Sequence, residues 1–229
     1  MEQNTQNKLL VPLAIIVAGG LVAGAIYFGG STPQLNSGQA TSPTTEIDIA
    51  PVTAKDHIVG DRNADLVIVE YSDTECPFCK NFHVTMKEVT STYGEQVAWV
   101  YRHFPIVQLH SKAPKEAEAT ECANELGGNQ AFWTYINRVF EITNSNDSLD
   151  PSELPKIATY AGLDVGAFNT CLSSGKYTEF IKESVAEAVK AGARGTPYSV
   201  IISKSGKKVV INGAEPFASV KIKIDALLK

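Results

Sequence analysis

Two thiols stand three positions apart in Glu75-Cys76-Pro77-Phe78-Cys79-Lys80, three residues after the stretch 65–71 (DLVIVEY). That apolar, β-branched run is of the kind that fills a buried central strand. Pro77 suits the first position of a helix, where its missing N–H costs nothing and its φ is already helical, so Cys76 falls at the N-cap. The amides of Phe78 and Cys79 then point at its sulfur. Those donors and the positive end of the helix dipole lower a thiol from about 8.5 into the range ~3.5 to 7.5. Cys76 is therefore expected to be the attacking thiol. Cys79, one turn later on the same side and less accessible, is expected to resolve it. Asp73 and Glu75 work against the thiolate, since like charges raise a pKa.

A C-x-x-C can also be half of a zinc site, but that needs a second pair of ligands. Cys122 and Cys171 lie 49 residues apart, and none of His57, His83, His103 and His110 forms a closely spaced pair. The ligand spacing fits zinc poorly, and no metal or organic cofactor is expected.

The elements around the motif follow from pattern. Strands are predicted at DLVIVEY, QVAWVYRH, YSVIIS and KVVING, the last two joined by a hairpin turn at Lys204-Ser205-Gly206. A helix should run from Pro77 to about Thr92, and another from Pro216 to Leu228. Between residues 111 and 192 the pattern is helical, with stops at Gly127-Gly128, residues 144–148, Gly162 and Gly175. Asp150-Pro151 reads as an N-cap followed by proline, and Asp164 as the cap of VGAFNTCL. Phe132, Trp133, Tyr135, Ile136 and Phe140 read as core of this block.

Four stretches together resemble the thioredoxin superfamily, and within it the DsbA-like thiol:disulfide oxidoreductases of the bacterial cell envelope, over about residues 58–229. They are VIVEYSDTECPFCKNFH, VAWVYRHFP, ECANELGGNQAFWTYINRVFE and CLSSGKYTEFIKESVAEAVKAGARGTPYSVII. The resemblance implies an α/β, thioredoxin-like fold with an inserted all-helical domain at about residues 111–192. It implies that Thr196-Pro197 is a cis-proline loop packed on the active-site disulfide and receiving an extended substrate strand. It places Glu70, six residues before Cys76, as a buried acid with a raised pKa that trades a proton with Cys79. An acid at a strand end is more commonly solvated. The dipeptide between the cysteines is Pro-Phe where the best-known oxidases carry Pro-His, so no imidazole lies between the sulfurs.

Residues 9–28, LLVPLAIIVAGGLVAGAIYF, are twenty in a row without charge, enough to cross a bilayer core of about 30 Å. Lys8 precedes them and the next basic residue is Lys55, which orients the N-terminus to the cytoplasm. The expected organisation is a cytoplasmic end at 1–8, a transmembrane anchor at 9–30, a flexible linker at 31–55 and the catalytic domain at 56–229. A cleaved signal peptide, with Ala23-Gly24-Ala25 as its site, is the rival; the apolar run continuing through Phe28 favours the anchor. Either way the domain faces the extracytoplasmic side, periplasmic or extracellular.

Disulfides persist there. With Cys76 and Cys79 as the exchanging pair, Cys122 and Cys171 are left, and a structural bridge is expected; the rival is two buried free thiols, common for Cys in helices. The chain has 20 basic and 25 acidic residues, a net charge of −5 and no basic cluster, so nucleic-acid binding has no support. The expected activity is oxidation of exported proteins with free thiols through a mixed disulfide. By resemblance the reoxidising partner is a DsbB-like or VKOR-like membrane protein. The alternatives are a reductase or isomerase using the same chemistry, a thiolate metal carrier, or a domain whose disulfide never turns over.

Overall fold

A computed structural model describes residues 47–229. The expected cytoplasmic end, the anchor at 9–30 and the linker up to residue 46 lie outside the described residues. Among the described residues, no helix is long and apolar enough to cross a membrane.

Five strands form one sheet in the order β1-β3-β2-β4-β5: β1 His57–Val59, β2 Leu66–Ser72, β3 Val97–His103, β4 Tyr198–Ser203 and β5 Lys208–Asn212. β2 and β3 run parallel, and the other neighbours are antiparallel. β1, only three residues long, carries too little pattern to be read from sequence; the other four lie within a residue or so of their expected bounds.

Helix α1 (Pro77–Tyr93) follows β2 and buries Cys79, Phe82, His83, Met86 and Val89, a stripe at helical spacing. It meets Leu66 and Ile68 of β2, Val97, Trp99 and Tyr101 of β3, and Val220 and Ile224 of α6 (Phe217–Leu227) in one core. The opposite sheet face carries Val69, Tyr71, Val100 and Val200 against Ala188 and Ala191. Side chains alternate along a strand, so Glu70 and Ser72 share the α1 face with Ile68, as do Trp99 and Tyr101 of β3. Periodicity and the packing of α1 on this face thus bring a carboxyl and two hydroxyls beneath the C-x-x-C.

The helical segment between β3 and β4 comprises α2 (Ala113–Ile142), α3 (Glu153–Tyr160), α4 (Val165–Ser174) and α5 (Thr178–Lys190). The expected stop at Gly127-Gly128 is a break inside α2, where Gly128 turns to φ 68°, a conformation open to glycine at low cost. Gly175 ends α4 in the left-handed cap. Asp164 caps α4 through Ala167 N. Asp150 does not cap α3: the helix begins at Glu153, and Asp150 instead accepts from the Ser152 amide at 2.8 Å in the preceding turn. The Asx-type turn competes with helix initiation, moving the start two residues on. Phe132, Trp133, Tyr135, Ile136 and Phe140 are all buried, but only Tyr135 belongs to the core of the helical block; the other four face the sheet and α1, because α2 packs one side on the core these share. Cys122 and Cys171 are joined by a disulfide in the core of this layer.

The composition of residues 47–54 suggested tether; they instead lie along the domain. Ile49 is buried, with Ile47 and Val52 packed on the same cluster. Arg102 donates to the carbonyls of Ala50 and Pro51, both at 3.2 Å. Three apolar side chains spaced among polar ones are enough to dock this segment on the cluster, which average composition conceals.

Candidate active site

Cys76 is the N-cap of α1 and Pro77 occupies its first turn. Both thiols of the motif are free, Cys79 fully buried and Cys76 5% exposed. Phe78, between them, is 63% exposed. The Cys76 pKa is held down to about 6. The largest cause is a hydrogen bond from the Cys79 thiol; burial opposes it, and the Thr196 side chain and the amides of Cys79 and Phe78 add to it. Cys79 moves the other way: burial first, then the charge and hydrogen bond of Cys76, push its thiol well above the usual range. One sulfur is stabilised as thiolate while its neighbour keeps the proton.

The Thr196-Pro197 peptide bond is cis, and the Cys76 thiol donates to the Thr196 carbonyl at 3.5 Å. The Thr196 hydroxyl is buried with no partner, poised for a sulfur that has turned from donor to acceptor. Glu70 is fully buried rather than solvated, and Trp99 Nε1 donates to its Oε2 at 2.9 Å. Burial pushes the Glu70 carboxyl up to about 7. Its other oxygen, Ser72 Oγ and Tyr101 OH are buried without partners, and the charges of Cys79 and Glu70 act on Tyr101. Cys76, Cys79, Glu70, Thr196 and Pro197 are therefore gathered at one place, and the Cys122–Cys171 bridge lies apart in the helical layer.

The two acids expected to oppose the thiolate are otherwise engaged. Glu75 turns away into the helical layer, accepting from the amides of Ser148 and Leu149, both at 3.1 Å, and from Thr143 Oγ1 at 3.0 Å. It thereby secures three consecutive residues, Ser145, Asn146 and Asp147, at φ 66°, 56° and 62°, a costly conformation for side-chain-bearing residues. Asp73, buried, accepts from the amides of Glu75 at 2.9 Å and Ile106 at 2.7 Å, and pairs with His110 Nδ1 at 2.8 Å.

His110, Glu116 and Tyr101 were not singled out as site residues in the sequence. Burial tends to lower the His110 pKa, but the hydrogen bond and charge of Asp73 and the charge of Cys76 hold it above its ordinary value. An imidazole that senses the thiolate thus comes from the loop after β3, though none lies between the cysteines. Burial, with the neighbouring Glu75 charge, pushes Glu116 up to about 8. Loop histidines and helix glutamates are common, and no local spacing marks these. The period-two pattern of VAWVYRH did hold the signal for Tyr101.

A thioredoxin-type sheet, a C-x-x-C dithiol at a helix N-terminus and a cis-proline facing it define the thiol-disulfide exchange class of protein. A family model described as thioredoxin matches residues 52–221. The chain belongs to that family, and its fold makes it a DsbA-like member of the thioredoxin superfamily. It is similar to DsbA2 of Pseudomonas aeruginosa, with 28% identity, a TM-score of 0.66, and 77% of this chain and 96% of that one covered. It shares the fold of oxidised BdbD from Bacillus subtilis at 17% identity and a TM-score of 0.68, covering 80% and 97%. Curated relatives include the Na(+)/H(+) antiporter NhaA 1 of Mycolicibacterium vanbaalenii, 32% identical over 145 residues, which are 62% of this chain and 22% of that one. NhaA 3 of Salinispora tropica is 33% identical over 143 residues, 62% and 21%. The chain spans about a fifth of the length of the curated relatives it matches.

Proposed function

We propose that this protein is an extracytoplasmic thiol:disulfide oxidoreductase that oxidises exported proteins, with Cys76 as the exchanging sulfur. The observation that carries the reading is the asymmetry of the pair: Cys76 held near 6 and Cys79 pushed well above its ordinary value. Starting from the Cys76–Cys79 disulfide, a substrate thiolate attacks Cys76 Sγ, and the S–S electron pair leaves on Cys79. That buried sulfur needs a proton, and Glu70, near 7, has one to give through the hydroxyls of Ser72 and Tyr101. A second substrate thiolate then attacks the substrate sulfur of the mixed disulfide and expels Cys76. A low-pKa thiolate leaves fast, so release of oxidised substrate is favoured. The cis-Pro197 loop, with the Thr196 carbonyl beside Cys76, receives the substrate strand.

The uncharged run 9–28 supports a membrane anchor and an extracytoplasmic location, and the family resemblance supports a DsbB-like or VKOR-like reoxidising partner. Cation antiport is not carried over from the NhaA relatives, because only about a fifth of their length is matched. Equilibration of the dithiol with glutathione tests the direction. A potential well above that of thioredoxin, about −270 mV, is expected. A value at or below it overturns the oxidase reading and leaves a reductase or isomerase.

A further inference from the structure

The spacing of histidines along the chain offered no metal-binding pair, yet strand pairing makes one. His57 of β1 stands opposite Tyr101 of β3, so His103, two residues on, is its diagonal neighbour on the same sheet face. Glu121 of α2 completes the group: its Oε1 lies 2.7 Å from His57 Nε2 and 2.7 Å from His103 Nε2. All three donor atoms fall within 4.8 Å of one another, and all three residues are buried. The rings are held in place. His57 stacks on Phe132 with centroids 3.5 Å apart, and His103 meets Tyr101 and Phe132 edge-on.

We propose that His57, His103 and Glu121 bind one divalent transition cation, Zn2+ foremost. Two imidazoles and a carboxylate are a set that such ions take, with a further position left for water. His57 and His103, though not Glu121, also line a neighbouring cavity of about 290 Å³. The same cavity is lined by Asp56, Glu183 and Glu187 against Lys55 and Arg102; the site would carry a net charge of about +1 and gains from that acidic balance. Bonds of about 2.0–2.2 Å require the donors to stand roughly 3.0–3.5 Å apart, so each N···O distance opens by about half an ångström. Each ring keeps one proton, moved to Nδ1, and binds through Nε2. The cation would cross-link the three-residue edge strand β1 to the helical layer, outside the dithiol.

The test uses tag-free protein stripped with chelator and kept in its Cys76–Cys79 oxidised form, so that no thiol competes. Zn2+ is titrated calorimetrically, and histidine NMR signals are followed. One equivalent bound, with the His57 and His103 signals moving and those of His83 and His110 still, is the expected result, together with a rise in thermal midpoint. Glu121→Gln should weaken binding by more than the 10- to 100-fold typical of losing a ligand's neighbour. Absence of stoichiometric binding to the wild-type protein, or Zn2+ held equally well by Glu121→Gln, overturns the proposal and leaves a hydrogen-bonded triad. If the variant fails to fold, the wild-type titration and its NMR pattern decide alone.

Discussion

Replacing Thr196 with valine isolates one source of the Cys76 thiolate. The Thr196 hydroxyl is buried without a partner, so valine, of nearly the same shape, removes a donor and leaves none stranded. Once Cys76 ionises, that hydroxyl is among the groups holding it near 6, behind the Cys79 thiol. A hydrogen bond to a charged acceptor contributes about 1.5–3 kcal/mol, which is about one to two pH units at about 1.4 kcal/mol each. As a secondary donor Thr196 should supply the lower figure, moving Cys76 to about 7. At pH 7 the thiolate fraction then falls from about nine-tenths to about half, and the reduced form is disfavoured by about fivefold. At about 30 mV per tenfold, the potential becomes more negative by roughly 20 mV. The thiolate's ultraviolet absorbance, followed against pH with the oxidised protein as blank, reads the pKa directly. A midpoint within about 0.3 units of the wild type, in a variant of unchanged stability, would refute the assignment of the hydroxyl to the thiolate.

Glu70→Gln should change how stability depends on pH in the reduced protein. The folded Glu70 pKa, about 7, exceeds the ordinary 4.5, so its contribution is full below about 4.5 and is lost as pH rises through 7. The variant should therefore gain on the wild type between pH 5 and pH 8, by at most about 3 kcal/mol; an equal difference at both pH values in denaturant unfolding counts against burial as the cause. The same variant should slow the first exchange step, seen as slower mixed-disulfide formation in stopped flow. His110→Ala leaves the Asp73 charge unpaired and removes a cation near Cys76, so the Cys76 midpoint should climb by about half to one unit; a fall would contradict the geometry. Replacing both Cys122 and Cys171 with serine opens a loop of sequence separation 49 and should cost about 2–4 kcal/mol in denaturant unfolding, with the Cys76 pKa unmoved.

The sequence by itself determined the dithiol and its local environment, because the relevant physics spans few residues. Proline at the helix start makes Cys76 an N-cap, and three-residue spacing returns Cys79 to the same side. Alternation along DLVIVEY assigns Glu70 to one sheet face, though only the packing of α1 sets that face, of two buried ones, against the dithiol. The four longer strands, both flanking helices and the Cys122–Cys171 pairing were legible for the same reason: periodicity, punctuation by glycine and proline, and a count of thiols. Tertiary structure alone decided what depends on distant elements. Asp73 faces His110 only because two loops converge, which relieves the expected opposition to the thiolate. Glu75 serves the 145–147 turn, 70 or more residues away. His57 and His103 become neighbours only through the pairing of a three-residue strand, an interaction too short to leave a periodic trace and settled by the sheet that surrounds it.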